Sequence, residues 1–346
     1  MPNREENDAN GTSNNRVVGA IEYNVQPNRD ENAGRRIEPR SLQDLLRYSI
    51  ALNPEPNASS SALPIDEERK EFLLNALESA IVNVTEELKS AIRIIIRNEA
   101  EDNPAEVEAA FDTLADFVDG IDAANDFFKL GGFAVFKPCL SSRHNSIRWR
   151  AASIIADLTQ NNPFCQQHIM EAGFIPILLE LINNDPDEQT QIKSLYALSC
   201  LMRDNPNSIE PFLENNGLAV LLKATQSSVE RLQVKSCFLL SVLCKENRKI
   251  RDEMCSMGFI EMFSNLLSCF EPSKSVEQIL AALRELVAEN PPALEKCSNP
   301  DLQLQSSLMK IKSEHSNSQE YEEEIDHVNF LLQNVFLNER LEEGDR

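Results

Sequence analysis

One interval governs this chain. Phe117, Leu158, Leu201, Leu243 and Leu286 recur at spacings of 41, 43, 42 and 43 residues, each at the same point of a helical apolar pattern. Asn162, Asn205, Asn247 and Asn290 follow four residues later, and proline follows three of them, as Pro163, Pro206 and Pro291. Proline disfavours a helical residue before it, so a long helix must stop there. The asparagine can then cap the next helix, with proline in its first turn. A second signal recurs between these points: GGFAVFKPCL from Gly131, AGFIPILLELI from Ala172, NGLAVLLKA from Asn216 and MGFIEMFSNLL from Met257. Glycine there permits the left-handed turn that closes one helix before the next begins.

Each unit therefore reads as a short helix, a glycine turn, a second helix, a loop and a longer third helix. A unit of about 42 residues cannot bury its own apolar face, but stacked units share a continuous core. The period falls in the HEAT/armadillo class, and AGFIPILLELI followed by KSLYALSCL is similar to the armadillo pattern in particular. The expected fold is an all-α, armadillo-like solenoid of three-helix repeats with helical caps, preceded by a disordered N-terminal tail. The repeat domain is expected over 65–338, with an N-terminal cap over 65–103, repeats over 104–300 and a C-terminal cap over 301–338. Residues 339–346 read as a short flexible tail.

Residues 1–64 differ from the rest. They are rich in Asn, Arg, Glu and Pro, and the first lysine of the chain is Lys70. Few apolar groups offset the ordering entropy there, so a flexible tail is expected. One island, SLQDLLRYSIAL from Ser41 to Leu52, is amphipathic enough for a short helix over 41–52, and NPEPNASSSALP reads as a linker.

Composition removes several functions. The formal charge is −23. Nucleic acid and anionic membranes both call for a cationic footprint, so neither is an expected partner. No run of apolar residues is long enough to span a bilayer, and the start, MPNREENDAN, has no signal-like apolar region. The eight cysteines form no CxxC pair and no Cys/His set at metal-ligand spacing. They read as buried, reduced thiols of a cytoplasmic protein. No phosphate loop or nucleophile elbow is present, so no enzyme, cofactor or metal is expected. His144, His168, His315 and His327 read as surface or loop residues, EYEEEIDH as an acidic helix face, and Trp149 as core.

The repeats do carry an aligned charge. Arg150, Lys193 and Lys235 fall at one register position of successive third helices, on the stripe beside the buried one. In an armadillo stack that stripe faces the concave groove, so the three cations should form a ladder with steps of roughly 10 Å, one helix-packing distance. Such a ladder suits a protein partner.

LQDLLRYSIAL, LADFVDGIDAANDFFKLGG, SIRWRAASIIADLTQN, IKSLYALSCLMRDN, LQVKSCFLLSVL, MCSMGF and EYEEEIDHVNFLLQNVF occur in the order seen in the heat-shock-protein-70-binding protein family. The resemblance covers nearly everything from Ser41 to Phe336. It implies a nucleotide exchange factor whose concave face embraces lobe II of the ATPase domain of heat-shock protein 70. Lobe I is displaced, ADP leaves, and the chaperone releases its client. The resemblance also assigns partner-binding roles to Ala124, in IDAANDF, and to Lys235, in VKS. Arg150 and Lys193 join them through the ladder. The sequence departs from the family at Ala123, where asparagine is usual. A monomer is expected.

Two rival functions differ in class. A peptide-carrying armadillo adaptor resembles its kin in a ladder of Trp and Asn on the third helix. The corresponding positions here are Ser153/Asp157, Tyr196/Cys200, Phe238/Val242 and Ala281/Glu285, so that ladder is missing. A scaffold or inhibitor that binds the chaperone without exchanging nucleotide leaves no different trace in sequence.

Overall fold

The computed structural model describes residues 83–98, 103–269, 274–316 and 319–337. The expected tail over 1–64, its helix over 41–52 and the segment 339–346 lie outside the described residues. Among the described residues all regular structure is helical.

Two helices come first, α1 (Val84–Asn98) and α2 (Pro104–Ala115). A first full repeat comprises α3 (Ile121–Lys129), a 3-10 turn at Gly132–Val135 leading into α4 (Phe136–Leu140), and α5 (Asn145–Thr159). The second holds α6 (Pro163–Glu171), α7 (Phe174–Asn184) and α8 (Glu188–Met202). The third begins with a 3-10 turn, Pro206–Ser208, then α9 (Ile209–Glu214), α10 (Gly217–Thr225) and α11 (Glu230–Glu246). The fourth is α12 (Arg248–Ser256), α13 (Phe259–Ser268) and α14 (Lys274–Val287). A last triplet, α15 (Pro291–Cys297), α16 (Leu304–His315) and α17 (Glu322–Leu331), ends in a π-helical turn at Leu332–Leu337.

The punctuation follows the chemistry of the junctions. The side chains of Asn162, Asn247 and Asn290 accept from the backbone N–H groups of Cys165, Ile250 and Ala293, at 3.2, 3.2 and 3.4 Å. Each satisfies one donor that a helix start leaves open. Asn205 departs from this pattern. Its side-chain amide donates back to the Leu201 carbonyl, 3.1 Å away, and a 3-10 turn rather than an α-helix follows. The left-handed turn is taken by Gly131, Gly173 and Gly258 in three repeats and by Asn216 in the other. In that repeat the glycine sits one residue later for a different reason: a Cβ on Gly217 would lie 2.1 Å from the Phe212 ring.

Successive third helices α2, α5, α8, α11, α14 and α17 pack against one another, and second helices do likewise, α7 on α10 and α13 on α16. The register leucines Leu158, Leu201, Leu243 and Leu286 are at most 1% exposed, and one hydrophobic cluster runs through the whole stack. Burying each such side chain contributes about 1.5–3 kcal/mol. Phe117 departs from its expected equivalents: α2 ends at Ala115, and Phe117 stands half-buried in the turn beyond it.

Candidate functional site

The third helices carry the aligned cations, and each cation reaches one helix back along the stack. Arg150 of α5 donates from Nε to Asp112 Oδ1 of α2 at 2.9 Å and from Nη2 to Oδ2 at 3.4 Å, with Glu108 3.9 Å away. Lys193 of α8 donates to the Ser153 hydroxyl of α5 at 3.2 Å. Lys235 of α11 places its ammonium 4.6 Å above the ring of Tyr196 in α8. Asp112, Ser153 and Tyr196 all stand five residues before a register position, and the three cations all stand eight before the next one. One geometric rule, applied three times, lays each stem across the same step of the stack. All three side chains are partly buried. The rule holds because neighbouring helices repeat the same ridge-into-groove contact.

Electrostatics follow from this placement. Asp157, one turn beyond Ser153, is half-buried, and its carboxyl is pushed up to about 6. Burial is the main cause; Lys193 pulls it down and Asp119 pushes it further up. Burial also holds the Lys235 ammonium below the usual lysine range. The charges of Lys193, Arg231 and Arg203 act in the same direction, while Cys200 opposes them. The Tyr196 hydroxyl donates to Gln160 Oε1 at 3.1 Å. Burial pushes its phenol upward, so the ring stays neutral beneath the cation. The acids Asp112 and Glu108 beside Arg150, and Asp157 in the field of Lys193, counter part of the stripe's charge, while the field around Lys235 also holds Lys193, Arg231 and Arg203. Fixed cations of this kind can orient an acidic surface.

Ala124 is placed elsewhere. It lies on α3, a first helix, and is 1% exposed. Its methyl group packs inward with the core and is not presented to solvent as the three cations are. The structure therefore brings Arg150, Lys193 and Lys235 onto one stripe and leaves Ala124 in the core.

Three further readings change. Trp149, expected in the core, is only partly buried, and the Arg150 guanidinium lies 4.3 Å over its ring. His315, expected at the surface, is 5% exposed. Its Nδ1 lies 2.9 Å from Glu324 Oε2, and Tyr321 stacks on its ring at 3.8 Å. Glu324 is therefore an interior member of the acidic run, whereas Glu322 and Glu323 are exposed as expected. Sequence reasoning also missed two cation–aromatic contacts: Arg203 at 5.6 Å over Phe238, and Arg284 at 4.5 Å over Phe330. Arg203 closes α8 outside the repeating stripe, so periodicity alone does not find it.

All eight cysteines are free thiols, seven of them buried. Burial pushes those of Cys165, Cys237, Cys244 and Cys297 up to about 12. Among the described residues no His, Cys, Asp and Glu side chains group as a metal site, and no helix is long and apolar enough to cross a membrane.

A solenoid of stacked three-helix units defines an armadillo-type protein. The chain belongs to the SIL1/FES1/HPBP1 family: the SIL1/FES1/HPBP1 C-terminal domain matches residues 123–257, and the nucleotide exchange factor Fes1 domain matches residues 42–127. The chain is similar to Hsp70-binding protein 1 of Macaca fascicularis, with 33% identity over 321 residues, covering 89% of this chain and 87% of that one. Hsp70-binding protein 1 of Homo sapiens is 32% identical over 321 residues, covering 89% of each chain. Among solved structures, a designed armadillo repeat protein superposes with a TM-score of 0.58 and 17% identity, covering 70% of this chain and 98% of that one. That likeness concerns the fold alone.

Proposed function

We propose that this protein is a nucleotide exchange factor for Hsp70. The stripe carrying Arg150, Lys193 and Lys235 takes lobe II of the chaperone's ATPase domain, displaces lobe I and promotes ADP release. One observation carries the reading: each of the three cations is set at the same register of a third helix, one step apart, and third helices are the ones expected to line the concave face of an armadillo stack. A curved face of this kind wraps a globular lobe, and the fixed cations select orientation as well as affinity. Family membership and the names of the relatives support Hsp70 as the partner.

Exchange requires more than a grip. The factor must bind the open ATPase domain more tightly than the closed, ADP-holding one. The protein itself performs no covalent step and holds no cofactor in this scheme. It acts as a monomer in the cytoplasm, where a reducing environment keeps its free thiols intact.

Stopped-flow release of fluorescent ADP from purified Hsp70, with and without the protein, tests the proposal. Faster release that saturates with concentration is expected. Binding without acceleration would replace the exchange reading with that of a scaffold or inhibitor. Absence of binding would remove the chaperone as partner.

A further inference from the structure

The step between α8 and α11 differs chemically from its neighbours. Five residues before the register leucine, the third helices carry Ser153 in α5 and Ala281 in α14, but Tyr196 in α8 and Phe238 in α11. Both rings are half-buried. Each receives a cation from the other helix. Lys235 of α11 lies over Tyr196 of α8 at 4.6 Å, and Arg203, at the end of α8, lies over Phe238 of α11 at 5.6 Å. The two contacts cross the same step in opposite directions.

This exchange gathers like charges. Lys235 is within the field of Lys193, Arg231 and Arg203, all of which disfavour its charged form. Glu246 is also within the field of Arg203, which favours its ionised form, while burial and Asp204 disfavour it. A long side chain under such repulsion swings away unless something holds it. An aromatic face attracts a cation within about 6 Å, more strongly where water is excluded. The rings therefore support the two head groups from one side.

We propose that Tyr196 and Phe238 are positioning residues of the partner site, holding Lys235 and Arg203 as a fixed cation pair that receives an acidic side chain of the chaperone's ATPase domain. The proposal rests on the function argued above and adds to it three residues outside the cation ladder. Fixing the head groups beforehand lowers the entropy lost on docking, so affinity gains from order as well as charge. A clasp that only joined two repeats would affect melting and leave binding unchanged, and this separates the two roles.

The test is calorimetric titration of the full chain with the Hsp70 ATPase domain at two salt concentrations, alongside thermal melts. Tyr196→Leu and Phe238→Leu should each weaken binding about fivefold and flatten its salt dependence, while Tyr196→Phe and Phe238→Tyr should bind within about twofold of wild type. Tyr196→Leu should be strongly non-additive with Lys235→Met and additive with Arg150→Met. Arg203→Met and Lys235→Met leave both rings in place and keep the test open if a leucine variant fails to fold. Their double variant should lose less than the two singles predict, because both cations hold one acid. Leucine variants that bind with wild-type affinity and salt slope, or strictly additive losses for Arg203→Met and Lys235→Met, would overturn the positioning role alone. Wild-type protein that fails to bind the ATPase domain would overturn the proposed function, and this inference with it.

Discussion

Arg148 and Asp185 form a two-pronged ion pair inside the stack. Arg148 donates from Nε to Oδ2 at 2.6 Å and from Nη2 to Oδ1 at 2.7 Å, and both residues are buried. Arg148 also donates to the Ser142 carbonyl at 2.9 Å. The pair ties α5 of one repeat to the end of α7 in the next. It sits two residues from Arg150 and so fixes the helix on which the ladder begins.

Removing one member of this pair should be costly. Arg148→Met leaves the Asp185 carboxylate buried without its cation, and a loss of about 3–5 kcal/mol is expected. Replacing both, Arg148→Met with Asp185→Leu, should recover much of that loss. Urea unfolding of the two single variants and the double variant measures it. Additive losses would show that the pair is not a coupled unit.

Reversing a ladder charge should act on binding and leave the fold alone. Lys235→Glu is expected to weaken association with the Hsp70 ATPase domain by at least about 1 kcal/mol, as for a partly desolvated interfacial charge. Its melting temperature should stay near wild type, because the side chain is only partly buried. Calorimetric titration reports the affinity, and an unchanged value would take Lys235 out of the interface.

Ala124→Arg should act the other way round. The site is packed closed within α3, so the added side chain must displace core or expose it. A loss of at least about 3 kcal/mol is expected from overpacking and charge burial together. A thermal melt decides the matter. Full stability combined with lost binding would return Ala124 to the partner surface.

Asp157 should make stability depend on pH. Its carboxyl rises from 3.8 to about 6 on folding, so between these values the folded chain holds a proton that the unfolded chain has lost. Stability therefore increases as pH falls through that window, and the full cost is present above it, at up to about 3 kcal/mol. Asp157→Asn is expected to raise the melting temperature near neutral pH and to lose that advantage at about pH 4. Melts of both proteins across the range give the difference curve, and an advantage independent of pH would show that the carboxyl is not the source.

Local signals carried much of this architecture. The Asn–Pro stops, the left-handed positions at Gly131, Gly173 and Gly258, and the buried leucines of the third helices depend on backbone sterics and on apolar spacing within one repeat. Such rules act over a few residues, so they are visible in a linear string. The common register of Arg150, Lys193 and Lys235 was legible for the same reason. The partners of those cations were not: Asp112, Ser153 and Tyr196 lie 38 to 40 residues away and meet them only when repeats stack.

The sequence by itself determined a helical solenoid, its period and the stripe that carries its positive charge, because periodicity and turn chemistry are properties of neighbours along the chain. Only the tertiary structure decided that Ala124 and His315 are interior, that Trp149 lies under Arg150, and that α8 and α11 exchange cations across two rings. Burial and cross-helix contact depend on which helix arrives opposite, and that is settled by the packing of the stack as a whole.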